Sequence, residues 1–147
     1  MKLSKNCKTT SSNCFSTQVV KLIDGSTYFN RGIDDMFRNN YRFITADSIS
    51  IALSNGIFYL DIDGPNKGKN TMGEDIFQFM LSAEEGIAPY IDPNDQISYI
   101  RYPSMRGLLA AYWIINFENM DYLKIDSSGK CPDGKTILDG TTNITCK

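Results

Sequence analysis

The run Tyr41-Arg42-Phe43-Ile44-Thr45-Ala46-Asp47-Ser48-Ile49-Ser50-Ile51-Ala52-Leu53-Ser54-Asn55-Gly56-Ile57-Phe58-Tyr59-Leu60-Asp61-Ile62 decides the fold. Apolar and polar residues alternate from Ser48 to Leu53, the period of a strand with one face turned to a core. Ala46-Asp47 joins this strand to Tyr41–Thr45, so the pair reads as a hairpin with one buried face. Ile57–Ile62 follows Asn55-Gly56 and is almost continuously apolar and aromatic, as a central strand covered on both sides would be. Connections this short leave no room for helical crossovers, so the sheet is expected to be antiparallel.

Downstream, Asp63–Gly73 holds three glycines, one proline and two asparagines, which predicts a tight irregular loop before a further strand at Asp75–Leu81. Residues 83–103 carry three prolines and several acidic residues and read as a surface excursion. Ser104 is placed to cap a helix that shows Met105, Leu108, Leu109 and Tyr112 on one face, while Trp113-Ile114-Ile115 reads equally well as the start of a strand. The tail from Asp126 is a Gly-, Asp- and Thr-rich loop. Upstream, Val19–Ile23 reads as a short strand ending at Asp24-Gly25, Ile33–Asn40 as a brief helix or bent loop, and residues 1–18 as irregular. With no internal repeat or linker, the expectation is one α+β domain over 1–147, an antiparallel sheet of about four strands with short helical and stapled loop segments.

A chain of 147 residues can bury about two thirds of its unfolded surface, enough for one core. A net charge of −2, with the basic residues dispersed, supplies no field for gathering phosphates, so nucleic acid is not an expected partner. Histidine is absent, which removes the commonest general base and metal ligand and with it most hydrolase and metalloenzyme designs. An Asp/Glu pair remains able to do acid/base work, but no motif marks one. No enzymatic activity and no cofactor are expected.

The four cysteines form two couples, Cys7 with Cys14 and Cys131 with Cys146. Three pairings are formally open and spacing does not select among them. Pairing within each couple is the expectation, since each would close a flexible loop while the other two pairings bridge the chain ends. Closing the Cys131–Cys146 loop is worth about 3 kcal/mol in the chain-entropy model. A zinc site would need closer couples or a histidine. Disulfides imply an oxidising compartment, yet Met1–Cys7 lacks the apolar stretch of an export signal. The longest apolar run, Leu108–Ile115, has eight residues against the roughly twenty that span a bilayer. The sequence is therefore expected to be the head of a longer exported protein, with Met1 supplied for expression.

Asp61-Ile62-Asp63-Gly64 opens like a calcium loop, but Pro65, Asn66 and Met72 fall where an EF-hand wants an oxygen ligand, glycine and glutamate. A different calcium site using Asp61, Asp63 and Asn66 competes with a turn held by Asx hydrogen bonds and glycine geometry, and the turn is the preferred reading.

The stretch Tyr59-Leu60-Asp61-Ile62-Asp63-Gly64-Pro65-Asn66-Lys67-Gly68-Lys69-Asn70-Thr71-Met72-Gly73-Glu74-Asp75-Ile76-Phe77 resembles the signature V-D-V-N-G-x-K-G-P-N-x-L-G-x-D-V-F of type IV pilin-like and type II secretion pseudopilin-like proteins. Here Pro65-Asn66 precedes Lys67-Gly68, and Lys69 stands where the signature has its proline. Ala111-Tyr112-Trp113-Ile114-Ile115-Asn116-Phe117-Glu118-Asn119-Met120-Asp121-Tyr122-Leu123 resembles the A-W-V-I-x-N-x-N-M-D-Y-L segment of the same proteins. The resemblance implies a prepilin leader and a long apolar helix ahead of an antiparallel-sheet head. It implies membrane anchorage through that helix, trimming by a prepilin peptidase, and packing with other pilin-like subunits into a cell-surface filament or secretion pseudopilus, driven by a separate ATPase. Asp61, Asp63, Gly64, Pro65, Asn66, Gly68, Asn70, Gly73 and Asp75 are then structural residues of a signature loop. The competing reading is a secreted ligand-binding or adhesin domain, with Tyr28, Phe29, Tyr90, Tyr99 and Tyr102 as contacts instead of core aromatics.

Overall fold

The computed structural model describes residues 3–7, 13–65, 67–90, 103–126, 128, 130–134 and 146. Along the chain its elements are β1 (Leu3–Asn6), β2 (Val20–Lys21), β3 (Thr27–Phe29), α1 (Ile33–Met36), β4 (Tyr41–Thr45), β5 (Ser50–Ser54), β6 (Ile57–Asp61), β7 (Ile76–Ser82), β8 (Gly86–Pro89) and α2 (Pro103–Phe117), followed by a 3-10 turn at Asp121–Leu123. One six-stranded sheet has the order β1-β4-β5-β6-β7-β8, and β2 and β3 form a separate ribbon. Every strand pair is antiparallel. With few helices and two disulfides, the class is α+β.

Two edge strands were not expected. Leu3–Asn6, read as irregular, pairs with β4, and Gly86–Pro89, read as part of a surface excursion, pairs with β7. Both are short, which hides them from a periodicity argument. Trp113-Ile114-Ile115 is helical, because α2 runs unbroken from Pro103 to Phe117. Residues 91–102, including Tyr99 and Tyr102, lie outside the described residues.

The hairpin has one more deeply buried face, as expected, but that face is not the apolar one. Register places Arg42, Ala52, Tyr59 and Gln78 in one row across the sheet and Ile44, Ser50, Asp61 and Ile76 in the next. This face carries the buried polar residues Arg42, Ser50, Asp61 and Gln78. The opposite face has the rows Phe43, Ile51, Leu60, Phe77 and Tyr41, Leu53, Phe58, Phe79, Pro89, with Leu81 beside Ile87. Apolar residues therefore line the more exposed side: Tyr41, Leu81 and Ile87 are 58%, 59% and 62% exposed. Alternation reports which residues share a face, and here polar ones turn inward, Arg42 onto Asp34 and the Gln78 amide onto Tyr28.

The ribbon and α1 cover the polar face. Phe29 and Phe37 pack on Tyr59 at 5.8 and 4.9 Å between ring centres, and the Gln78 amide donates to the Tyr28 hydroxyl at 3.4 Å. Tyr28 and Phe29 are thus packing residues of the covered face, while Tyr90 is 38% exposed. Beneath α1, the Arg42 guanidinium lies 2.8 Å from the Asp34 carboxylate, both side chains being buried. It also donates to the carbonyls of Asp34, Cys7 and Arg38, each at 3.0 Å. Asp34 Oδ1 accepts the N–H groups of Cys14 at 2.9 Å and Phe15 at 3.2 Å.

The disulfides join Cys7 to Cys14 and Cys131 to Cys146. Helix α2 packs against β7 and β8. Among the described residues no helix is long and apolar enough to cross a membrane.

Removing one partner of a buried ion pair leaves the other charge without compensation, at about 3–5 kcal/mol. Asp34→Asn and Arg42→Met should each lose stability of that order in urea denaturation of the oxidised protein. The double variant should be less destabilised than the sum of the two; additive losses would show that the charges do not act as a pair.

Candidate functional site

The residues singled out from sequence lie in one loop, from the end of β6 to the start of β7. Its outline is drawn by carboxylates accepting backbone N–H groups, the means by which Asp fixes a turn without regular structure. Asp61 Oδ1 accepts the Gly64 N–H at 2.9 Å. Asp75 closes the far end, its two oxygens taking the N–H groups of Asn70 and Thr71, each at 2.6 Å. Between them, Gly68 adopts φ +76, and a Cβ there would overlap the carboxylates of both Asp63 and Asp75. Glycine is required where two acidic side chains converge on the main chain.

The loop is tied to its surroundings at several points. Asn70, at φ +57, sends its amide to the carbonyls of Gln18 and Val19 at 2.7 and 2.8 Å. Main-chain bonds link Lys21 to Asn70 at 3.0 Å and Met72 to Lys21 at 2.8 Å. At Gly73 the helix comes so close that an added Cβ would meet Gly107 Cα at 2.6 Å. Pro65 lines a cavity of about 430 Å³ with Lys5, Phe15 and Lys67. Asn66 lies outside the described residues.

The second singled-out segment docks on the first. The Tyr122 hydroxyl donates to the Gly73 carbonyl at 2.6 Å, and the Trp113 indole N–H donates to Asn119 at 2.8 Å. Asp121 accepts the Cys146 N–H at 2.8 Å and pairs with Lys124 at 2.6 Å. The same 3-10 turn thus carries both the contact to the loop and the anchor of the second disulfide. Nothing in the sequence pattern signals this contact, because Gly73 and Tyr122 stand 49 residues apart and their hydrogen bond depends on how the chain folds back.

Within the loop the electrostatically unusual group is Asp61. Burial raises its carboxyl to about 7, reinforced by a hydrogen bond and charge repulsion from Asp63 and by the charge of Asp75, and opposed by the Gly64 N–H. Two facing carboxylates at the mouth of a buried strand end can share a proton or accept a hard cation. Among the described residues no group of three or more His, Cys, Asp or Glu side chains is arranged to hold a metal ion.

Compared with known proteins, the chain matches no family model, no curated protein and no solved structure.

An Asp61 carboxyl that keeps its proton to about pH 7 when folded, against 3.8 as the ordinary value, binds protons more tightly folded than unfolded between those limits. Its contribution to stability is therefore greatest in acid, declines as pH rises through this window, and levels off above about 7. Asp61→Asn keeps an oxygen for the Gly64 N–H. In chelator-treated buffer it should flatten this part of the profile and melt above the wild type in mild alkali; thermal unfolding across pH checks both.

Proposed function

We propose that this chain is the globular head of a pilin-like subunit, a structural component of a cell-surface filament or secretion pseudopilus, anchored by an apolar N-terminal helix before assembly. The carrying observation is the sheet face opposite the ribbon, on which Phe43, Leu53, Phe58, Leu60 and Phe79 are only half-buried and Tyr41, Leu81 and Ile87 are exposed. Contiguous exposed apolar residues mark protein–protein or membrane interaction sites. An apolar helix from the same subunit is an occupant of suitable chemistry, since an antiparallel sheet buries such a face most readily under a helix.

Three further features support the reading. Both disulfides fit an oxidising environment. The two segments that resemble pilin-like proteins meet at the Tyr122 hydroxyl and Gly73, as parts of one head framework would. The loop they build is anchored by main-chain contacts, in keeping with a structural role.

The test is to express the full-length gene in its host with a tag on the head and to probe sheared surface fractions. The expected result is a tagged filament. Release of a free monomer with its whole N-terminal part processed away would replace this reading with that of a secreted binding domain. Leu81→Asp and Ile87→Asp change exposed positions and should shift stability by no more than about 0.5 kcal/mol, while lowering incorporation into sheared filaments. Normal incorporation of both variants would remove the β7–β8 end of the face from the interface.

A further inference from the structure

Where β5, β6 and the following loop meet, three oxygen-bearing side chains converge, and two of them, Ser50 and Asp63, have a buried oxygen without a partner. Asp61 is only 2% exposed and its carboxylate faces that of Asp63. Asp63 Oδ1 is shielded from solvent and accepts no hydrogen bond. Independently, Ser50 is 0% exposed, and its hydroxyl has no partner. Ser50 stands directly opposite Asp61 in the β5–β6 register. Such residues project from the same face with Cβ atoms about 5 Å apart, so the hydroxyl belongs to the space beside the carboxylates.

Each unpartnered buried polar group costs about 1–3 kcal/mol, and more when charged. No neighbouring cation offsets them. Lys69 is paired with Glu74 at 3.0 Å, Lys67 is exposed, and among the described residues no lysine or arginine pairs with Asp61 or Asp63. Asp75 contributes shape, because both its oxygens already accept main-chain N–H groups.

We propose that Asp61, Asp63 and the Ser50 hydroxyl form a binding site for a hard divalent cation, with calcium the fitting ion for an all-oxygen donor set. Calcium accepts six to eight oxygens in flexible geometry, so two carboxylates and a hydroxyl leave positions for main-chain carbonyls and water. Magnesium demands near-ideal octahedral geometry and dehydrates reluctantly, which suits this irregular loop less well. Two carboxylates place the site in the weak range of extracellular modules, with Kd of about 10⁻⁴ to 10⁻³ M. The inference does not rest on the filament reading, and either can fail alone.

The test uses the full chain after chelator treatment, at a pH above the Asp61 titration. Calcium chloride is titrated by calorimetry, and thermal unfolding is followed with calcium, with magnesium and with chelator. The expected result is saturable binding in the range given above, a higher Tm with calcium, and a smaller rise with magnesium. Asp63→Asn should abolish the calcium response while keeping the circular dichroism spectrum of the folded protein. Ser50→Ala, a smaller change at a packed position, should remain folded and bind calcium more weakly. Absence of any calcium-dependent heat or Tm shift in the wild type, or a full response in either variant, overturns the assignment.

Discussion

The buried pair between Arg42 and Asp34 is the interaction on which the rest of the arrangement depends. Arg42 belongs to β4, next to the edge strand β1, and Asp34 to α1. Their 2.8 Å contact is surrounded by main-chain groups from three other places, Cys7, Arg38 and the Cys14–Phe15 segment. A guanidinium can organise so many carbonyls because its donors are fixed in one plane. Apolar residues of the same volume would fill the space, but they would not direct the first disulfide, the short helix and the edge of the sheet to one point. Desolvating two charges has a cost that only this degree of hydrogen bonding offsets.

Much of the sheet was legible in the sequence, since β4, β5, β6 and β7 follow from apolar runs separated by turn residues. What alternation could not supply was the side on which each set would be buried. Ser50 and Arg42 looked like the solvent side of a hairpin, and both are buried. The reason lies in residues distant along the chain: Asp34 receives Arg42, and the aromatic side chains of Phe29 and Phe37 close over Tyr59. β1 and β8 escaped notice because four-residue edge strands carry too little pattern. The helix at Trp113–Ile115 was ambiguous for a different reason, as short apolar runs have no period of their own.

The candidate site was legible in position but not in arrangement. Glycines and asparagines between Asp61 and Asp75 located an irregular loop, and the paired acids suggested either a turn or a cation site. That Gly68 is the meeting point of Asp63 and Asp75 depends on how the loop folds back, and that Ser50 joins Asp61 depends on strand register. Asp75 settles as a turn former by accepting two N–H groups. Asp61 holds the Gly64 N–H with one oxygen while facing Asp63.

The Cys7–Cys14 disulfide has a mechanical side. β1 is an edge strand whose residues Leu3 to Asn6 pair with β4 in antiparallel fashion, so tension applied at the amino end would peel it away one rung at a time, the weakest geometry a sheet offers. The peeling meets Cys7, whose N–H donates to the Arg42 carbonyl at 2.9 Å and whose carbonyl accepts from the Arg42 guanidinium at 3.0 Å. Beyond that residue the pull divides, passing through the sulfur bridge to Cys14 and through Arg42 to Asp34. A chain pulled at its amino end would yield a few residues of slack and then stiffen, with the covalent link and the buried charges sharing the force.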